Sequence, residues 1–459
     1  MVQKIIYRSS YLLILILLAN SLLNLSGFNS SINIYDLILG LAFFALLLVI
    51  GNCIDLILNV QSISFSIFIY LTSFFVTDLL ILFIYKSLSF SEVFIVTNVL
   101  WISVFIFHGL KTHLFIFLGF TYSLLNYLFY RVSEFLTINE NIIGDVEAVF
   151  FEQSKNIYEF SYFYSVNNFV MEGYPQFTSY LQALFLQFSQ FQGSYSYHNH
   201  TSHIVFYLSI LFFWELRISM KNKILLVAVF SSLILNSGWI SFLFVSSLMS
   251  EGIVSLFTTV SLYYLFSNIR GNSYSRYTSL FYVIIGMLYF SKQFNSSIVL
   301  ITIFIIFLLD INKKVVFFGF SGLFIKELLY MFVFSNVSKD HHIRQIDIID
   351  TIGDLILLRD LKFSNIFSIL NNLFIDKPLV VVLVVFYLSM FLIFLQPFRN
   401  NLININLFLI VNLNLVLIFA LYISAWQDME LDSPIRYILN LLHMALISIF
   451  INLEKSKSN

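Results

Sequence analysis

Charge is what this chain has least of. Only 11% of its 459 residues are charged and 59% are hydrophobic, whereas a soluble domain carries about 25% charged residues. So little charge cannot cover a water-facing surface, so lipid is the expected surrounding for most of the chain. The net charge of −1 argues against nucleic-acid binding. Cys53 is the sole cysteine, which excludes an internal disulfide and a CxxC metal or redox pair. No Pro- or Gly-rich stretch marks a linker, and no segment reads as a soluble domain. No clear internal repeat is visible of the kind that builds transporters from two inverted halves.

Apolar runs are what the chain has in excess. "YLLILILLANSLL", "LILGLAFFALLLVIG" and "VVVLVVFYLSMFLIFL" are long enough to serve as membrane spans, which take about 20 residues. Such runs predict spans at 10–26, 34–54, 63–85, 92–108, 113–130, 202–217, 223–241, 250–267, 277–290, 294–309, 315–334, 378–396, 402–424 and 433–451. The expected fold is therefore all-α, a polytopic membrane protein with about 14 transmembrane helices. The start, "MVQKIIYRSS" before an apolar run, has signal-peptide charge but no small-residue cleavage motif, so an uncleaved first span is expected.

Lys and Arg near span ends set the orientation. Lys4 and Arg8 place the N-terminus in the cytoplasm. Alternating from there, Lys111, the group Arg217, Lys221 and Lys223, then Arg270, Arg276, Lys313, Lys314, Arg399, Lys455 and Lys457 all fall inside. The C-terminus is then cytoplasmic too. This requires that 174–190, "YPQFTSYLQALFLQFSQ", does not cross. Its polar and aromatic composition predicts a helix lying at or dipping into the outer membrane face. Three sizeable loops, 131–201, 335–377 and 425–432, then lie outside.

Acids and bases collect on that outer side. "GDVEAVFFEQSKNIYE", from Gly144 to Glu159, holds Asp145, Glu147, Glu152, Lys155 and Glu159. As a helix it would put Asp145, Glu152, Lys155 and Glu159 on one rough face. A carboxylate partly shielded at a membrane surface can act as a base; a solvated amphipathic helix resting on lipid fits the same spacing. Glu251 opens the span "SEGIVSLFTTVSLYYLF", and Lys292 sits in "YFSKQFNSS". His341, His342 and Arg344 sit in "SKDHHIRQ", and Arg436 with Tyr437 in "LDSPIRYIL". Basic groups at span mouths suit a lipid-linked phosphate, although each is also explained by snorkelling or interfacial anchoring. The His pair could bind a metal, but two adjacent His without a third ligand at a usual spacing are weak evidence of a metal site.

In their order along the chain these motifs resemble the GT-C superfamily of membrane glycosyltransferases, of the kind that use dolichyl-phosphate-mannose or transfer aminoarabinose. In "DVEAVFFEQSK", Asp145 and Lys155 stand at the family spacing of acid and lysine, without a second acid after Asp145 and without the tryptophan-glycine pair. "YPQFTSYLQAL" matches the proline-aromatic opening of a juxtamembrane helix, with Pro175 single rather than doubled. Glu251 stands where the family has a second outer acid. Lys292 corresponds to a lysine turn, here without its glycine, and Arg436–Tyr437 to an arginine-tyrosine pair entering a late span.

The resemblance implies 1–112 as additional N-terminal transmembrane helices, 113–334 as a GT-C-like core with its catalytic outer loop at 131–201, and 335–459 as an outer loop with C-terminal transmembrane helices. It implies a polyprenyl-phosphate or polyprenyl-diphosphate sugar donor and a glycan, lipid or protein acceptor at the outer face of a bacterial inner membrane. Asp145 would be the base, with Glu147 beside it as the second candidate acid. Glu251 would support the acceptor or a divalent metal. Lys292 and Arg436 would hold donor phosphate, with Lys155, His341, His342, Arg344 and Tyr437 as further substrate contacts. No organic cofactor is implied.

Three other readings stand beside it. An O-antigen-type polymerase would be expected to use arginines in its outer loops; here the large outer loops and their edges hold Arg131, Arg344, Arg359 and Arg436. A polysaccharide-lipid transporter or flippase would place ionisable groups in mid-span. Asp78 in "FFVTDLLILF" and the pair Lys326–Glu327 in "LFIKELLYMF" stand there, and a structural buried pair is the better account of them. The third is a scaffold without catalysis, against which the outer acids and bases speak.

Overall fold

The computed structural model describes residues 34–58, 62–84, 89–109, 112–132, 200–237, 250–268, 361–394, 402–424 and 438–455, with single helical positions at 181, 183, 184, 187, 240, 324, 357 and 435. The elements these residues form are all α-helices; no strand occurs among the described residues. In chain order they are α1 (Ile34–Leu58), α2 (Ile63–Ile84), α3 (Phe90–Phe107), α4 (Thr112–Val132), α5 (His200–Glu215), α6 (Met220–Asn236), α7 (Ser250–Asn268), α8 (Ser364–Ile375), α9 (Lys377–Phe394), α10 (Leu402–Ile423) and α11 (Leu442–Lys455).

Most of these helices are apolar on every side rather than along one stripe, the pattern of a helix enclosed by other helices or by lipid. Each expected span that falls on described residues is helical. The last, 433–451, is regular from Leu442, after a turn at Asn440 and Leu441. Among the described residues Gly40–Leu58, Phe90–Phe107 and Ile405–Ile423 are long and apolar enough to cross a membrane; Ser364–Phe374 with Lys377–Ser389, bent by 104°, is a fourth if the pair counts as one span. The expected spans 10–26, 277–290, 294–309 and 315–334 lie outside the described residues, apart from Phe324. One helix was not anticipated. α8 falls within the expected outer loop 335–377, and it is too short and too mixed in polarity to register as an apolar run.

Helices α1–α5 form one compact unit and α6–α11 another. In the first, α1 packs against α2, α4 and α5, and Phe43, Phe44, Cys53 and Ile54 are fully buried. Gly51 sets the approach of α1 to α2. A Cβ there would stand 2.6 Å from Ile67 Cγ1 and 3.0 Å from the Ile63 carbonyl oxygen, the small-residue contact that lets apolar helices close up without a hydrophobic driving force. α2 meets α3 through Phe74 stacked on Phe94 and through Tyr70 donating to Asn98 Oδ1 at 2.9 Å.

The start of α2 is held by two carboxylates, Glu215 and Asp55. A helix start leaves its first N–H groups unpaired. Ser62 Oγ accepts from Phe65 N–H at 3.1 Å, while Glu215 at the end of α5 accepts from Ile63 N–H at 2.6 Å and Ser64 N–H at 3.2 Å. Both serine hydroxyls also donate to Glu215 Oε2. Asp55 Oδ1 accepts from Ser62 N–H at 2.9 Å.

In the second unit α11 is the centre, packed against α6, α9 and α10 and buried along nearly its whole length. Glu454 in its last turn repeats the device of Glu215. Its Oε2 accepts from Ser219 N–H at 3.0 Å, Ser219 Oγ at 2.7 Å and Asn222 Nδ2 at 2.6 Å, at the start of α6. α9 and α10 run antiparallel, with Phe386 on Phe408 and Tyr387 donating to Asn412 Oδ1 at 2.9 Å.

Two stability predictions follow from this packing. Gly51→Ala should lower the unfolding free energy by about 1–3 kcal/mol through overpacking. Gly119→Ala, where nothing lies within 4 Å of the added Cβ, should be neutral or slightly stabilising. Thermal unfolding in detergent compares the two. Glu215→Ala, which strands the first N–H groups of α2, should cost about 2–3 kcal/mol, and hydrogen exchange should rise first at Ile63 and Ser64.

Candidate functional site

Most residues that the sequence nominates lie outside the described residues: Asp145, Glu147, Lys155, Lys292, His341, His342, Arg344, Arg436 and Tyr437. Glu251 is placed by its main chain in the first turn of α7. What the structure adds is the surroundings of that turn. One helical turn after Glu251 comes Ser255, fully buried, and its Oγ lies 2.9 Å from His443 Nδ1 on α11. The His443 main-chain N–H reaches the same Oγ at 3.3 Å. Ser255 can therefore donate to the ring and accept from the main chain, a pairing that leaves the imidazole proton on Nε2. Phe230 of α6 closes over the ring, centroids 5.3 Å apart.

Further buried, neutral polar groups lie on the same two stretches of chain. Asn440, in the turn before α11, is fully buried, and among the described residues neither its Oδ1 nor its Nδ2 has a partner. Thr258 Oγ1 and Ser261 Oγ on α7 are likewise buried without one. Ser255, Thr258 and Ser261 follow Glu251 at spacings of four, three and three, which sets all four on one side of α7. Buried polar atoms are rarely left unpaired in a native protein, so this set has hydrogen-bonding capacity to spare. It can hold water or a hydroxyl group, and it supplies no charge. Among the described residues no three His, Cys, Asp or Glu side chains are grouped so as to hold a metal ion.

Other buried ionisable groups are tied to helix ends. Asp376 stands between α8 and α9. Its Oδ1 accepts from Leu379 N–H at 3.2 Å, an N-cap bond, and its Oδ2 accepts from Ser237 Oγ just past α6. Asp78, mid-helix in α2, is buried and not without a partner; Lys326 and Glu327 lie outside the described residues. Sequence reasoning passed over Ser255, His443 and Asn440. The legible signal was a histidine and an asparagine inside "RYILNLLHMALISIF", polar groups that an apolar helix keeps only if something pairs with them.

Removing Ser255 takes away the hydrogen bond at His443 Nδ1: Ser255→Ala is expected to cost about 1–3 kcal/mol. Asn440→Leu, which removes two unpaired buried groups, should be neutral or stabilising. Thermal unfolding of both variants in one detergent checks the contrast.

Comparison with family models, with curated proteins and with solved structures finds no match to this chain.

Proposed function

We propose that the chain is an integral membrane glycosyltransferase of GT-C type, with about 14 spans and both termini cytoplasmic, that takes a sugar from a polyprenyl-phosphate or polyprenyl-diphosphate donor at the outer face of a bacterial inner membrane. The observation that carries the reading is the Ser255–His443 hydrogen bond. It joins α7 one turn after Glu251 to His443 of α11, a residue that Arg436 and Tyr437 precede by seven and six positions. In sequence Glu251 stands four residues before Ser255 and Arg436 seven before His443, and this nearness along the chain to one hydrogen bond supports reading the two nominated groups together.

Hydrogen bonds elsewhere support the threading, because they pair residues that the alternation assigns to the same side. Ser62 and Ser64 with Glu215, and Ser219 and Asn222 with Glu454, are all assigned inside. Ser237 with Asp376 is assigned outside. So is Ser91 at the start of α3, which donates to Gln187 Oε1 at 2.9 Å; Gln187 belongs to the segment read as lying at the outer face rather than crossing.

The chemistry needs few groups. A carboxylate, Asp145, takes the proton from the acceptor hydroxyl as that oxygen attacks the anomeric carbon. The bond to phosphate oxygen breaks, its electron pair leaves with the phosphate, and the sugar configuration inverts. The leaving group needs cations rather than a protonating acid, the role of Lys292 and Arg436, with Lys155, His341, His342, Arg344 and Tyr437 as further contacts. Glu251 orients the acceptor or holds a divalent metal. A hydrolase would instead need two acids flanking the scissile bond.

Asp145 is favoured over Glu147 as the base because it keeps the spacing to Lys155. On a helix Glu147 lies about 200° round from Asp145. Protein in proteoliposomes, given a radiolabelled polyprenyl-phosphate sugar and an envelope acceptor fraction, should transfer label. Asp145→Asn should lower the rate by about 10²–10⁴-fold with donor binding kept, and Glu147→Gln should cost far less. The reverse ranking moves the base to Glu147. No effect from either reduces the loop to a solvated surface helix.

A further inference from the structure

α8 divides into three faces rather than two. Taking Asn365 as zero and about 100° per residue, Ile369 and Leu373 lie at about 40° and 80°, and all three are buried. Leu370, Phe363, Phe374 and Phe367 fall at about 140–200°. All four are exposed, Phe367 to 75% and Phe374 to 64%. Asn371 and Ser364, at about 240° and 260°, are exposed as well. The helix thus has one sector against protein, one apolar sector that no described residue covers, and one polar sector.

Its place in the unit gives these sectors a meaning. Asn365 Nδ2 donates to the Tyr422 carbonyl at 2.9 Å, and Lys362 N–H to the Ile423 carbonyl at 2.9 Å, at the last turn of α10. Asp376, directly after α8, takes Ser237 at the end of α6 and caps the start of α9. α8 therefore lies across the ends of α6, α9 and α10. It meets α9 at a bend of 104°, nearly a right angle. α9 has 18 residues, about 27 Å at 1.5 Å per residue, close to the hydrocarbon thickness of about 30 Å by itself. With α9 across the bilayer, α8 lies in the membrane plane at its surface.

The geometry points to α8 as an interfacial helix whose Phe363–Phe367–Leu370–Phe374 stripe is seated in the acyl chains of one leaflet, with Ser364 and Asn371 turned to water. A face open to water would carry polar groups where these aromatics stand, and interfacial helices show this division of apolar and polar sides. Exposed Lys362 and Lys377 bracket the stripe, placed to meet lipid phosphate groups. The occupant is thus phospholipid rather than a second protein. The inference rests on α9 being a span and not on the transferase reading.

The test uses the full-length protein in phosphatidylglycerol-containing nanodiscs. Cys53, fully buried, stays in place and is checked for inertness. Spin labels go on Phe367→Cys, Phe374→Cys, Asn371→Cys and, as the span control, Leu388→Cys, exposed to 59% on α9. Relaxation is read with oxygen, which concentrates in lipid, and with a water-soluble nickel chelate. The expected result is lipid-type accessibility at 367, 374 and 388 and water-type accessibility at 371. Water-type accessibility at 367 and 374 with 388 in lipid overturns the interfacial helix. Exclusion of both reagents at 367 and 374 overturns it in favour of a protein partner. Water-type accessibility at 388 overturns it together with the span.

Discussion

An apolar bundle has nowhere to hide the unpaired N–H groups at its helix starts, and in this chain carboxylates are the groups that take them. Glu215 closes the start of α2, Glu454 the start of α6 and Asp376 the start of α9. Each is supplied at or just beyond the end of a different helix, so capping also joins helices. The N-terminal end of a helix dipole favours a negative charge, and in an environment short of water such a bond is hard to replace. With only 11% of residues charged, the few acids at these ends matter more than acids on a soluble surface would.

These contacts separate two populations of carboxylate. Acids fixed at helix starts have their lone pairs occupied by N–H and O–H donors and are poorly placed to take a proton from a substrate. Asp145, Glu147 and Glu251 are the acids that the proposed reading puts on the outer side and assigns to chemistry. Ser255, Asn440 and His443 form a third, neutral kind of buried polar group. The Ser255–His443 pair joins α7 to α11, and the Asn440 side chain has no hydrogen-bond partner among the described residues.

Much of the helical framework was legible because an apolar run of membrane length needs no tertiary context to announce itself. Helix α1 was expected at 34–54 and is Ile34–Leu58; α10 was expected at 402–424 and is Leu402–Ile423. What could not be read was partnership. Glu215 lies beside Arg217 in sequence, and nothing local says that its carboxylate belongs to Ser62 and Ser64 more than 150 residues away. His443 was hidden by the apolar run that carries it. α8 escaped because its pattern has helical period but not membrane length. Of the candidate site only the helix bearing Glu251 is placed; the family-like motifs around Asp145, Lys292 and Arg436 fall outside the described residues.

The transferase reading depends above all on sidedness: the capped starts at Glu215 and Glu454 on the cytoplasmic side, the Asp376 corner on the side of the proposed chemistry. Lys221 and Lys377 are both exposed and stand next to these features. The most direct measurement is labelling of Lys221→Cys and Lys377→Cys in intact cells with a membrane-impermeant maleimide. The account predicts that position 377 reacts from outside and that position 221 reacts only after permeabilisation. Reaction of both from outside, or of 221 alone, would contradict it.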